Sequence, residues 1–474
     1  MIKLMIRHGL SPCLPAFLLG CVPADAGYGD VRQLTAARIE SDVRWYAHDA
    51  AEAPNEATRK IIARPLDAHA AARLALLNNQ TVQAAFEDLE VARGRLVQAL
   101  RISNPTADAA LRFQPGEGAT PDIEVSGMLD ISDLWFMPLR AGAAESQLDA
   151  TKLSVAGRVL DIAFEARRAF YDYQAAAQTL ELRQSILVAL QASFEAAQRL
   201  FEAGNITELS FANERALYEE ARVAFTRAEA TLLARREALN AILGLWGRDV
   251  QWTAKERLED PTEAPKLDAL EARAIERSLD LELIRRRFEA AGKGANVARA
   301  RGWIPELRAG VAAEREAGDE SRWSIGPAVD LELPLFYQGQ GEVAIALADQ
   351  RREQRLFADT AVRIRAAARA AASQLAATAK SVEYYKNVFL PLRQQILDAT
   401  QLQYNAMNAG VFQLLQAKRD QIDAARVYVE LLREYWTLRT DVDQLIAGRL
   451  PARSTAPETG NDMGSQGSGR AEAH

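Results

Sequence analysis

Asp122-Ile123-Glu124-Val125-Ser126-Gly127-Met128-Leu129-Asp130-Ile131 alternates two kinds of residue. Ile123, Val125, Gly127, Leu129 and Ile131 take every second position, and Asp122, Glu124, Ser126 and Asp130 fill the positions between. A period of two sends the sets to opposite faces of a β-strand, one apolar and one charged. Three more stretches read alike. Ala107, Ala109, Leu111 and Phe113 alternate with Thr106, Asp108, Ala110 and Arg112. Leu307, Ala309, Val311 and Ala313 alternate with Glu306, Arg308 and Glu314. Trp323, Ile325, Val329, Leu331 and Leu333 alternate with Arg322, Ser324, Asp330 and Glu332. Each is about nine to eleven residues long, the length of a tilted strand in a transmembrane β-barrel. Pro115-Gly116-Glu117-Gly118 and Ala317-Gly318-Asp319-Glu320 supply the turns. Pro327 interrupts the last strand and is expected to force a bulge or shift.

Four strands leave open edges, which lipid does not tolerate. Closure demands association, and a homotrimer would give a barrel of about 12 strands. The polar faces then line the lumen with Asp108, Asp122, Glu124, Asp130, Glu306, Glu314, Asp330 and Glu332, against Arg112, Arg308 and Arg322. Rings of like charge bias ion entry, so a modest cation preference is expected. Trp135 and Phe136 after the second strand and Trp303 before the third suit an interfacial aromatic belt.

The rest of the chain reads as helix. It has 474 residues, 49% apolar, and is rich in Ala, Leu, Arg, Glu and Gln, which favour long helices. Helical segments are expected over 68–102, 139–203, 207–243, 268–300, 337–407 and 411–447. Ile186, Leu190, Phe194, Ala197 and Phe201 form a coiled-coil seam, as do Ile422, Ala425, Val429, Leu432 and Trp436. Segment 139–203 would be about 100 Å long. No apolar run is long enough for a membrane helix. With Lys+Arg 57 against Asp+Glu 64, the net charge of −7 argues against nucleic-acid binding.

The plan occurs twice at an offset of about 200 residues. Leu66-Asp67-Ala68 recurs as Leu267-Asp268-Ala269, Asn104-Pro105 as Ile304-Pro305, and Leu129-Asp130-Ile131 as Val329-Asp330-Leu331. The expected organisation is a signal peptide (1–20), an N-terminal extension (21–60), a first repeat (61–243), a linker (244–266), a second repeat (267–447) and a disordered tail (448–474). Lys3 and Arg7, a short apolar run and Leu18-Leu19-Gly20-Cys21 mark an export signal. The ending resembles a bacterial lipoprotein box, with Cys21 as the lipidated residue.

No catalytic or phosphate-binding motif is present, and Gly339-Gln340-Gly341 reads as a helix-start turn after a strand. Two cysteines, Cys13 and Cys21, and four scattered histidines offer no metal site and no disulfide framework. The expectation is a protein that is not an enzyme and holds no cofactor.

The residues resemble the TolC family of outer-membrane efflux proteins. The likeness rests on the Pro105 and Pro305 strand entries, on Leu331-Glu332-Leu333-Pro334-Leu335-Phe336, on Gly204-Asn205-Ile206-Thr207-Glu208-Leu209, and on Tyr404 to Leu415. It covers about 60–450. It implies a mainly α chain whose long hairpins build one third of a helical barrel and whose four strands build one third of a trimeric 12-stranded transmembrane barrel. It implies an outer-membrane location with the helices in the periplasm. The implied partners are outer-membrane lipid, a periplasmic adaptor and an inner-membrane pump of the resistance-nodulation-division type. The turns Gly204-Asn205 and Gly410-Val411 would form the periplasmic tips, both glycines taking positive φ. Glu208, Gln413 and Gln416 are the implied gate positions, the glutamines standing where relatives can carry acids. The Tyr404–Leu415 run leans toward heavy-metal export. The alternative is a lipid-anchored periplasmic coiled-coil structural or adaptor protein, which would not need two-faced strands.

Overall fold

The computed structural model describes residues 25–39, 44–45, 54–113, 121–255, 257–261, 267–316 and 322–452. The expected signal peptide, Cys21, both strand turns and the tail beyond 452 lie outside the described residues.

One order of elements occurs twice. The first pass comprises α3 (Ala68–Asn78), α4 (Gln80–Ala99), β1 (Thr106–Arg112), β2 (Asp122–Asp130), α5 (Asp133–Glu202) and α6 (Glu208–Leu243). The second comprises α7 (Leu270–Glu276), α8 (Leu279–Trp303), β3 (Glu306–Arg315), β4 (Trp323–Glu332), α9 (Gln340–Tyr384), a π-helical turn (Tyr385–Phe389), α10 (Leu390–Asn405) and α11 (Val411–Ile446). Before them, α1 (Tyr28–Ala36) packs on α5, and α2 (Pro54–Ile62) packs on α3.

Helix ends differ from the sequence expectation where a single residue overrides periodicity. The segment 68–102 is two helices, because the Asn79 carboxamide caps α4 by accepting from Thr81 N (2.8 Å). Ser278 likewise caps α8 by accepting from Leu281 N (3.1 Å), splitting 268–300. The long helix starts at Asp133, six residues before the expected 139, and contains Pro138. Asp133 anchors that start: its carboxylate accepts from Ser103 N (2.7 Å) and pairs with Arg140 (2.7 Å). A negative first turn also suits the helix dipole. At 70 residues, α5 is about 105 Å long. The expected helix 337–407 is interrupted by the π turn just before Pro391, which has no N–H and whose ring displaces the carbonyl of residue 387.

The core lies where α3, α4, α5 and α6 meet, around fully buried Phe86, Phe164, Phe170, Leu160, Leu239 and Leu243. A second cluster joins α7, α9 and α11 through Leu270, Leu375, Val429 and Leu432. The linker 244–261 holds a 3₁₀ turn (Gly247–Val250) and buried Trp252, whose indole donates to Asn240 Oδ1 (2.8 Å). It pairs with Leu66 through Lys255 N (2.9 Å) and Thr253 O (2.8 Å). Arg38, just after α1, donates to the carbonyls of Arg277 (2.8 Å) and Ala447 (2.9 Å), both in the second repeat, while α1 itself packs on α5 of the first.

The sheet is antiparallel in the order β1-β2-β3-β4. The repeats therefore join at β2–β3, and β1 and β4 are its edges. Register runs unbroken from Glu306↔Glu332 to Arg315↔Trp323, so the bulge expected at Pro327 does not occur. An edge strand accommodates a proline without one.

Candidate functional site

Residues opposite each other in an antiparallel ladder share a face. Asp108 faces Ser126, Arg112 faces Asp122, Glu124 faces Glu314 and Asp130 faces Arg308. Arg308 in turn faces Asp330, and Glu306 faces Glu332. All eight acids named from the sequence thus fall on one face, together with Arg112 and Arg308; Arg322 lies one residue before β4. Arg112 pairs with Glu124 at 3.0 Å and Arg308 with Asp330 at 3.7 Å. Two like-charged pairs, Glu124–Glu314 and Glu306–Glu332, stand directly across the ladder from each other.

The other face carries Leu111, Val125, Leu129, Val311, Ile325, Val329 and Leu331, all exposed, with Ile325 at 71% and Val329 at 68%. Soluble surfaces rarely leave such a continuous apolar patch. Arg315 at the end of β3 is the charge on this face, which the alternation did not single out. Aromatic rings flank both ends of the strands. Trp135, Trp303 and Phe336 are exposed at the helix-proximal end, and Phe113 and Trp323 at the other. Phe136 is buried instead, with Arg301 over its ring at 5.8 Å.

Close backbone approaches fix where strand meets helix. The Gln338 carbonyl sits where a Cβ on Gly302 would be, 2.0 Å away, which brings α8 against the β4–α9 connection. Gly339, in the left-handed conformation, is the N-cap of α9, so Gly339-Gln340-Gly341 is a helix start.

The helix tips divide the expected residues. Gly204 does take positive φ (+73°) and ends α5 together with Asn205, whose N–H donates to Leu200 O (2.8 Å). Gly410 does not: its φ is −76° and it is the N-cap of α11, ahead of Val411. The left-handed residue at this tip is Met407 (φ +62°), 94% exposed. A chain reversal needs one such residue but does not require it to be glycine when its side chain points into solvent. Glu208 is the exposed first residue of α6, capped by Thr207. Gln413 caps α11 by accepting from Gly410 N (3.2 Å). Gln416 donates to Asp420 (2.7 Å), which also pairs with Arg393 (3.3 Å). Asp420 is thus the acid nearest the second tip that engages both helices of its hairpin; its spacing gave no signal. The first hairpin is zipped by stacked rings: Phe201 on Phe211 (5.1 Å), Phe211 on Phe194 (5.8 Å) and Phe194 on Tyr218 (5.4 Å).

Among the described residues no group of His, Cys, Asp or Glu could hold a metal ion, and no helix is long and apolar enough to cross a membrane.

Long helical hairpins carry a sheet with one charged face, one apolar face and two open edges, the arrangement that one subunit of an oligomeric β-barrel requires. Residues 138–245 match the family model described as outer membrane efflux protein. The cobalt-zinc-cadmium resistance protein CzcC of Cupriavidus metallidurans is 23% identical over 392 residues, spanning 81% of this chain and 90% of that protein. Outer membrane protein OprJ of Pseudomonas aeruginosa is 26% identical over 314 residues, 60% of this chain and 64% of that one. Among solved structures, CusC matches with a TM-score of 0.66 at 15% identity, covering 81% of this chain and 92% of that chain. VceC of Vibrio cholerae matches with a TM-score of 0.64 at 17% identity, covering 81% and 96%. The chain thus matches the outer membrane efflux protein model over residues 138–245 and has the fold of these solved outer-membrane channels.

Proposed function

We propose that this protein is the passive outer-membrane exit duct of a tripartite efflux system, receiving solutes from an inner-membrane pump through a periplasmic adaptor. One observation carries the reading: every acid of the four strands lies on one face of the sheet, and the other face is apolar. Three copies would pair β1 of one protomer with β4 of the next, remove the open edges, and turn the charged faces inward. The lumen would then be acidic and favour cations. The tips at Gly204-Asn205 and Met407–Val411 would face the adaptor, and a pump of the resistance-nodulation-division type is the expected partner. The likeness to a cobalt-zinc-cadmium resistance protein favours divalent heavy-metal ions as cargo. The duct itself carries no metal relay among its described residues, so selection would reside in the pump and adaptor. Cys21 would carry the lipid anchor; palmitate labelling that persists in Cys21→Ala would remove that part of the proposal.

The test is the mass of the detergent-solubilised complex from an isolated outer-membrane fraction. Three chain masses together with conductance in a planar bilayer support the duct. A monomer in the soluble periplasm would leave the strands unclosed and overturn it.

A further inference from the structure

The two free edges of the sheet are matched to each other. Ile131 N donates to Leu307 O directly across the β2–β3 ladder (2.9 Å). In an antiparallel ladder, opposite residues alternate between exchanging both backbone bonds and exchanging none. Leu129–Ala309, Gly127–Val311 and Val125–Ala313 are therefore bonded pairs too. Val311 gives its N–H and C=O to β2, so Pro327, across from it on β4, turns its own backbone to the open edge. The proline ring agrees, since it has no N–H to offer β3. Trp323, Ile325, Val329 and Leu331 face outward in step with it. On β1 the outward residues are Ala107, Ala109 and Leu111, because β2 bonds the residues between them.

Both outward sets are also the ones whose side chains lie on the apolar face. A second copy that bonds edge to edge thus continues the apolar and the charged face without a break. A slip by one residue would spoil the bonding and both faces at once. The helices below keep the same order: α4 packs on α5, α5 on α8 and α8 on α9. α4 and α9 therefore flank the subunit on the sides of β1 and β4, and Val91 of α4 and Ile345 and Val362 of α9 are exposed there.

Within one protomer Ala107 stands level with Pro327, through Gly127 and Val311. The registers that keep bonding and faces set Pro327 opposite Ala107, Ala109, Leu111 or Phe113 of the neighbour. The first means no shift and upright strands. The others shift each copy by about two, four and six residues, which tilts a ring of about 12 strands by about 20°, 35° and 45°. Transmembrane barrels tilt by about 35–45°. Opposite Ala109, at the middle of β1, Pro327 would leave the Ala109 carbonyl without a donor inside the hydrocarbon. Opposite Phe113, β1 would begin against Pro334, outside β4. Opposite Leu111, all of β1 lies against β4, from Thr106 at Glu332 to Arg112 at Gly326. The orphan carbonyl is then that of Leu111, next to the end of β1, where headgroups and water supply donors. We propose that Pro327 selects this register, so that Leu111 of each protomer stands opposite Pro327 of the next. The ring itself rests on the duct reading.

The experiment places cysteine pairs in the full-length protein on the polar face, at non-bonded positions, where opposite residues come closest. Ala110→Cys is combined with Ala328→Cys for this register, with Gly326→Cys for the one before it, and with Asp330→Cys for the one after. Gly326 has open space for the added side chain. In one protomer Ala110 and Ala328 lie on opposite edges of the sheet, at least about 14 Å apart, so a disulfide between them joins two copies. Detergent-solubilised assemblies are oxidised with diamide and run on denaturing gels without reductant. Covalent trimer is expected from the 110/328 pair at about five times the yield of the other two. A higher yield from 110/326 or 110/330 overturns the register and keeps the ring. Pro327→Ala restores the missing donor and is expected to cut the preference for 110/328 over 110/326 about fivefold. An unchanged preference takes the selection away from Pro327. Thr106→Cys with Glu332→Cys reads the same register if the 110/328 variant does not assemble. No cross-link from any pair in a complex of three chain masses overturns the seam alone, whereas no cross-link in a protein of one chain mass sinks the duct reading with it.

Discussion

Glu124 and Glu314 face each other across the β2–β3 ladder, where the two repeats join. Like charges in that position destabilise a sheet by roughly 0.2–1 kcal/mol. Arg112 compensates Glu124 at 3.0 Å, whereas the next residue across from Glu314 is Ser324 of β4. Glu314 is thus the member whose charge is presented most openly to the polar side. Replacing it with Gln should leave the assembly as stable or more stable by up to about 1 kcal/mol. The same change should move the reversal potential in a salt gradient toward lower cation preference. An unchanged reversal potential would take Glu314 out of the lumen.

The same junction constrains the backbone. A Cβ built on Gly310 would lie 1.8 Å from the Gly127 carbonyl oxygen, so any side chain there forces β2 and β3 apart. Gly310→Ala should cost about 1–3 kcal/mol and lower the fraction of heat-resistant oligomer. Gly326, on the same face with open space around it, is the control, and Gly326→Ala should be close to neutral. Equal behaviour of the two variants would refute the close-approach account.

These strands were legible because a two-faced sheet imposes a period of two, which Asp122 to Ile131 keeps everywhere but at Met128, an apolar residue on the charged face. The long helices were legible for the same kind of reason, a repeated apolar seam. Their ends were not, because Asn79, Ser278 and Asp133 act through single hydrogen bonds that leave the periodicity untouched. Pro138, just outside the expected segment 139–203, lies inside a helix, while Pro391, inside the expected segment 337–407, follows a π turn. The acidic face was fully readable in residue type. The contacts of Asp260 with Lys386 and Tyr428 were not, since Tyr428 is 168 positions away and only the fold brings it near.

Arg449, just beyond α11, binds Asp161 of α5 through Nε (3.1 Å) and Nη2 (2.5 Å) and also reaches Asp280 of α8. Burial pushes the Asp280 carboxyl up, against the pull of Arg449 and of Leu450 N. Removing the cation leaves two carboxylates facing each other in a confined place. Arg449→Met should cost about 3–5 kcal/mol at neutral pH. The Asp280 carboxyl, already pushed up by burial, would then lose the cation that opposes that push, so the native state would hold more protons and stability would fall as pH rises. The deficit should be larger at pH 8 than at pH 5 in thermal unfolding; a deficit independent of pH would argue that lost packing, not charge, is the cause.

Met407 adopts a left-handed conformation while Gly410, three residues on, does not. That conformation costs a non-glycine residue about 1–2 kcal/mol. A large apolar side chain kept there, almost fully exposed, suits a docking contact at the tip. Met407→Gly should stabilise the hairpin by up to about 1 kcal/mol yet weaken capture of the adaptor in a pull-down. Undiminished capture would assign Met407 no part in docking.

Asp260 of the linker pairs with Lys386 of the π turn (2.7 Å) and accepts from the Tyr428 hydroxyl of α11 (2.6 Å), and its titration sets the pH range of that junction. Burial raises its pKa, but the Lys386 ammonium and the Tyr428 hydroxyl outweigh that and hold the carboxyl below its ordinary value. An acid with a depressed native pKa contributes stability above its unfolded pKa and loses it as pH falls through the native value. The unfolded value is near 3.8, so the junction should hold unchanged from pH 8 down to pH 5 and weaken only below about pH 4. Tyr428, pushed up by burial and by Asp260, stays protonated and donating throughout. After correction for intrinsic rates, exchange in 385–405 should therefore be flat between pH 5 and 8 in wild type, and equally flat but faster in Asp260→Ala. A step between pH 5 and 7 in wild type that vanishes in Asp260→Ala would mean that the carboxyl titrates in the physiological range and that Lys386 does not hold it ionised.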